Sequence, residues 1–278
     1  MLDRTRIALN RIIFPSLDLE NFFRFTFDLG IKKIELRNDL TGKGIIDAYS
    51  PEQVKRLLKK YNLEILTINA LQKFNLSKIF PQLIQELQEL IDLSLAIGNK
   101  AIVLCPNNEP LDQRSSKEAF QETVKALKSF AFLFERNNLW GYVEPLGFPE
   151  SSLNSIIKAQ EAIQQSGCSR YKIVFDTFHH YLGPDTLEII QNKLDPDNLG
   201  LIHLSGVEST IPLEEFRDKH RVLVSNQDRL KSKEQIDLLS ALGYQGDISL
   251  EPFSPLVQVM KIEEIKLAIQ KSIEYLSS

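Results

Sequence analysis

Four side chains able to hold a metal ion stand at the ends of four successive apolar runs. GYVEPLG places Glu144, IVFDTFHH places Asp176, LIHLSG places His203 and ISLEPFS places Glu251. The first three follow one another at intervals of about one strand plus one helix, and Glu251 comes after a longer gap. An apolar strand interior should not carry an unpaired carboxylate, because desolvating it is costly. Each residue alone could be a polar strand end satisfied by loop amides. Four on consecutive strands point instead to a shared ion. Three carboxylates and one imidazole are a hard, oxygen-rich set that suits Mn²⁺, Mg²⁺ or Co²⁺, with Zn²⁺ also compatible. A ligand charge of about −3 favours tight binding of one divalent ion. Such an ion is a Lewis acid.

Pro145 and Pro252 follow the two glutamates. Proline cannot donate to a strand ladder and holds the preceding residue extended, so both carboxylates should project where pairing stops. Other polar residues gather at the same ends. His179, three residues after Asp176, is read as a loop group that contacts substrate oxygens. Arg221, in DKHRVLVSNQDRL, is read either as a clamp on a substrate oxygen or as a partner of Asp218 or Asp228. Glu35 ends the second strand and is placed within reach of substrate, with Arg37 as its partner or as a substrate contact. Asn10, Asn69 and Asn107 are read as turn residues, Cys105 as an inert core residue, and His180 and His220 as structural or solvent-facing. Phe148, Phe178 and Phe253 are placed as walls that exclude water.

The elements that position these groups repeat one junction: an amphipathic stretch, a glycine, then a short apolar run. Gly30, Gly98, Gly167 and Gly243 occupy the glycine position, which suits the left-handed residue past a helix end. The predicted strands are Arg6–Leu9, Lys33–Leu36, Glu64–Asn69, Ala101–Cys105, Leu139–Glu144, Lys172–Asp176, Gly200–Ser205 and Asp247–Glu251. Ser50-Pro51-Glu52-Gln53 reads as a capping box, with Val54, Leu57, Leu58 and Tyr61 on one face behind it. Ser232 and Gln235 read as a second box, and Leu256 to Tyr275 as the last helix. Eight strand–helix alternations predict a single (β/α)8 TIM barrel, in one domain over residues 1–278, rather than an open sheet. No glycine-rich nucleotide fingerprint follows the first strand. Loops at Asn107–Ser116 and Val207–Leu230 would then lie on the face where barrel enzymes work.

The 278 residues carry 33 basic and 37 acidic side chains, a net charge of −4 that gives no expectation of a nucleic-acid partner. Two cysteines exclude a disulfide framework and fit a reducing compartment. No apolar run reaches the roughly 18 residues of a membrane span, and the N-terminus lacks a secretory core. The expectation is a cytoplasmic protein with no membrane partner, whose helix faces could support a homo-oligomer.

At these residues the chain resembles the xylose isomerase-like TIM-barrel superfamily of sugar isomerases and epimerases, and within it the inosose (2-keto-myo-inositol) isomerase group. The resemblance spans essentially the whole chain. IELRND, VEP, DTFH, IHLSG, DKHRVLV and LEPFSP carry it. It implies that Glu144, Asp176, His203 and Glu251 bind one divalent metal and that Glu144 and Glu251 form the proton-transfer pair. It also implies that His179 and Arg221 contact substrate oxygens. The implied chemistry is carbohydrate metabolism through an enediolate, with a small sugar or keto-inositol as substrate. Return of the proton to the neighbouring carbon isomerises; return to the opposite face of the same carbon epimerises. An inosose dehydratase would use nearly the same site. A metal nuclease resembling endonuclease IV needs several metals and many histidines, and this chain has four histidines. A barrel without catalysis would not be expected to keep the ligand set.

Overall fold

The computed structural model describes residues 3–278. Eight parallel strands close into a barrel in chain order. They are β1 (Ile7–Asn10), β2 (Lys33–Arg37), β3 (Glu64–Leu71), β4 (Ala101–Leu104), β5 (Trp140–Val143), β6 (Tyr171–Asp176), β7 (Leu199–Leu204) and β8 (Asp247–Leu250). β8 pairs with β1, so among the described residues the sheet leaves no open edge. The predicted (β/α)8 architecture is thus the observed one, and each expected strand is present within two residues at either end.

The junctions form as their residues dictate. Gly98 and Gly167 cap their helices in the left-handed region, with φ of 84° and 72°, and Gly30 and Gly243 take the same hand one residue beyond their caps. Ser50 and Gln53 exchange both bonds of the capping box at the helix Pro51–Tyr61. Val54 of that helix is fully buried and Tyr61 nearly so, while Leu57 and Leu58 pack half-buried against the core. Burying a side chain such as Val54 contributes roughly 2 kcal/mol.

Three expectations are corrected. Ser232 and Gln235 make no capping box: Lys231 is the cap residue, and its side chain makes no cap bond. The amide of Ser232 donates instead to Asp228 Oδ2 at 2.8 Å, and Asp228 Oδ1 also holds the amides of Val207 and Leu230. Gln235 is turned inward, where Oε1 meets His180 Nδ1 at 2.8 Å. The last helical stretch is broken into Pro255–Gln258 and Ile262–Ser277. β3 runs on to Leu71, so Asn69 lies inside a strand rather than at a turn.

The main apolar core lies between barrel and helices. A smaller cluster of Ala70, Val103, Cys105, Val174 and Leu201 comes from alternate strand positions, which in a closed barrel point inward. A third, of Phe148, Phe178, Val207, Phe216 and Leu230, joins the loops after β5, β6 and β7 over the C-terminal face. No helix among the described residues is long and apolar enough to cross a membrane.

Candidate metal centre

β5, β6, β7 and β8 are neighbours in the barrel, and their C-terminal ends bring Glu144, Asp176, His203 and Glu251 together. One ligand atom from each lies within 4.8 Å of the others, and all four residues are buried. The two prolines act as the sequence predicts. The amides of Glu144 and Glu251 make the last bonds to the neighbouring strands, to Leu104 O at 3.0 Å and Leu204 O at 2.9 Å. Pro145 and Pro252 then end the pairing. Asp176 and His203 sit side by side in the register of β6 and β7.

His203 Nδ1 faces the cluster, 2.9 Å from Glu144 Oε1 and 3.2 Å from Glu251 Oε2. Arg221 Nη2 donates to Asp176 Oδ2 at 2.6 Å and to Glu251 Oε2 at 2.7 Å. Its Nη1 reaches Asp218, not Asp228, at 3.2 Å, and Nε donates to Ser205 Oγ at 3.0 Å. Arg37 Nη1 donates to Glu251 Oε1 at 2.7 Å, and its fork grips Asp39 with two bonds. Phe253 packs under both guanidiniums, 4.9 Å from Arg37 and 4.6 Å from Arg221.

The electrostatics follow from burial against these partners. Burial raises the Glu251 carboxyl, but His203 and the two arginines overcome it and hold it well below the usual range. Burial raises Asp176, and Arg221 only partly offsets it. Burial opposes a charge on His203, yet Glu251, Glu35 and Glu144 draw one onto it. Four buried carboxylates, those of Glu35, Glu144, Asp176 and Glu251, face the two buried guanidiniums of Arg37 and Arg221. With His203 neutral, two negative charges remain. One divalent cation neutralises that excess, so the donor set fits the ion the sequence suggests.

His179 is not in a loop. Asp176 Oδ1 caps a short helix, Thr177–Leu182, by accepting from the amides of Phe178 and His179. This sets His179 in the first turn, edge-on between Phe148 and Phe178 at 5.2 and 5.3 Å. Its Nδ1 is buried with no hydrogen-bond partner among the described residues. Burial, with Arg221 nearby, lowers its pKa to about 4, so the ring is neutral at ordinary pH. Glu35 also lies elsewhere than expected. It is fully enclosed, and both oxygens are taken by Asn10, Thr67, Asn69 and His203 rather than open at the mouth.

Sequence reading passed over several contacts. Asn10 Nδ2 bridges Glu35 Oε1 and Glu251 Oε1 at 3.1 and 3.0 Å. The Cys105 thiol donates to Glu144 Oε2 at 3.5 Å. Thr67, which no motif marks, lies opposite Glu35 in the β2–β3 register. A period of two counted back from Asn69 would have found it. A cavity of about 920 Å³ lies to one side among the loops after β4, β5 and β6, and none of Glu144, Asp176, His203 and Glu251 lines it. Side-chain chemistry, not cavity size, therefore marks the site.

The sequence profile of the xylose isomerase-like TIM barrel family matches residues 23–278. An inosose isomerase of Bacillus licheniformis is 25% identical over 220 residues, covering 78% of this chain and 77% of its own. One of Halalkalibacterium halodurans is 22% identical over 252 residues, covering 89% and 88%. A xylose isomerase domain-containing protein of Salmonella typhimurium superposes with a TM-score of 0.93 at 36% identity, over 100% of this chain and 99% of that one. The crystal structure of an IOLI protein with a bound zinc atom shares the fold, with a TM-score of 0.89 at 20% identity and 98% coverage of both. The chain belongs to the xylose isomerase-like TIM barrel family.

Proposed function

We propose that this chain is a divalent-metal-dependent isomerase or epimerase of a ketose or keto-inositol. The observation that carries the reading is the meeting of Glu144, Asp176, His203 and Glu251 within 4.8 Å, where four buried carboxylates face two buried guanidiniums. The inosose isomerase relatives support the substrate class. These four residues would hold the ion, with Mn²⁺, Mg²⁺, Co²⁺ and Zn²⁺ all compatible with the donors. What such an ion supplies is Lewis-acid polarisation of a carbonyl.

The rest of the chemistry belongs to the chain. Glu144 and Glu251 are the proton-transfer pair: one removes the proton α to the carbonyl, and the same or the opposite carboxylate returns it. Arg221 fixes Glu251 and Asp176 and lends positive charge where an enediolate oxygen would gather negative charge. His179, neutral and with Nδ1 unpartnered, is suited to hydrogen-bond a substrate hydroxyl. Phe148, Phe178 and Phe253 keep water from the reacting carbon.

A panel of ketoses and inososes incubated in deuterated water with each metal tests the reading. Solvent deuterium should appear at one carbon next to the carbonyl, with no change in composition beyond that exchange. Glu144→Gln should lower kcat by about 10²- to 10⁴-fold. A product lighter by one water would identify a dehydratase instead. Full turnover by a Glu144→Gln chain that still binds metal would remove that residue from proton transfer.

A further inference from the structure

The four metal-site residues all come from β5–β8, yet β1–β3 aim a polar group of their own into the same barrel interior. Asn10, Glu35, Thr67 and Asn69 are all buried. Register explains the grouping: Asn10 lies opposite Glu35, and Glu35 opposite Thr67, across three neighbouring strands. A buried carboxylate is costly unless it is paired and hydrogen-bonded. Glu35 is both. Oε1 accepts from Asn10 Nδ2 at 3.1 Å; Oε2 accepts from the Thr67 hydroxyl, from Asn69 Nδ2 at 2.9 Å and from His203 Nε2 at 3.1 Å. Thr67 Oγ1 in turn accepts from Asn69. Every bond that Glu35 accepts comes from within the barrel, so substrate has no free oxygen to meet.

We infer that Glu35 is a positioning residue that holds His203 through its Nε2–H and thereby commits Nδ1 to the metal site. This rests on the metal-site reading above. A ring nitrogen binds a metal only through its lone pair, and the hydrogen bond made by the other nitrogen selects which one is free. Among the described residues nothing else bonds His203 Nε2, while Nδ1 already lies among the oxygens of Glu144 and Glu251. Asn10 extends the device to a second ligand. It ties Glu35 Oε1 to Glu251 Oε1, so the strands that supply no ligand brace two residues of those that do. Glutamine at 35 offers His203 only a neutral, weaker acceptor, and its amide would face the Asn10 amide donor, so both the hold on Nε2–H and the tie to Glu251 are loosened.

The test uses the full chain, zinc as the probe, and nitrogen NMR of the histidine rings. Wild type should bind one zinc through His203 Nδ1, and Nε2 should keep a proton that exchanges slowly with water. Glu35→Gln should bind zinc about 10- to 100-fold more weakly, at a temperature where both chains are folded. A carboxylate that served only stability would lower the melting temperature of that variant and leave the zinc affinity alone. Zinc on Nε2 overturns the inference, as does a folded Glu35→Gln chain that binds zinc as tightly as wild type. If that variant does not fold, the nitrogen spectrum of zinc-loaded wild type decides by itself. A wild-type chain that binds neither zinc nor manganese sinks the metal-site reading and this inference with it. Zinc binding unchanged by the variant sinks this inference alone.

Discussion

His179 shows how one side chain can be tuned by its walls. Enclosed by Phe148 and Phe178 and close to the positive Arg221, it stays neutral down to about pH 4, against an ordinary value of 6.5. The unfolded chain takes up that proton as the pH falls through the ordinary value, and the folded chain refuses it. Stability from this group is therefore complete above the ordinary value and is lost progressively as the pH falls towards the folded one. Between about pH 7 and about pH 5 the loss amounts to roughly 2 kcal/mol. His179→Leu, with similar bulk between the same rings, should lose that acid sensitivity. Urea titrations of both chains at the two pH values measure the difference. The same variant should lower kcat/KM for any ketose the wild type turns over, because the ring that would meet a substrate hydroxyl is gone.

At the scale of elements, two glycines look alike in sequence and differ in consequence. Gly167 sits at a left-handed helix end with open space around it. Gly167→Ala should cost about 1 kcal/mol through backbone strain and leave activity intact. Gly147, in GYVEPLG, has a different task. A Cβ there would meet His179 O at 1.9 Å and Gly183 N at 2.9 Å. The loop after β5 and the short helix Thr177–Leu182 are in backbone contact at that point. Gly147→Ala must push the helix, and with it His179 and the cap made by Asp176. It should cost about 1–3 kcal/mol and lower kcat/KM as well. Comparing turnover of the two variants at equal folded fraction separates strain from displacement. Ser50→Ala supplies a control far from the site: losing its cap should cost about 1 kcal/mol with no change in activity.

For the molecule as a whole, the parts legible in the sequence were those set by local rules. Glycine at helix ends, β-branched runs and proline after Glu144 and Glu251 are local signals, so the barrel and the four side chains that meet at its rim could be placed. Long-range pairing was not legible. Glu35 and His203 stand far apart in sequence and meet only because the barrel closes; Arg221 finds Asp176 rather than Asp228 for the same reason. Asn10 read as a turn residue because its two carboxylate partners come from opposite ends of the chain. Barrel closure also concentrates charge: carboxylates dispersed along the chain become neighbours, and the fold must hold them against their mutual repulsion. A divalent ion bound only by the folded chain should therefore stabilise the whole molecule. At a free concentration of about 100 times Kd the gain is about 2.7 kcal/mol, or a rise in melting temperature of roughly 5–10 °C. Melting curves with manganese or zinc, then with a chelator in excess, measure it. Glu251→Gln should reduce the rise, because it removes one of the charges the ion neutralises. A melting temperature indifferent to both metals would mean that the arginines and His203 already balance the carboxylates, and the site would then have to be read as a closed ion-pair network.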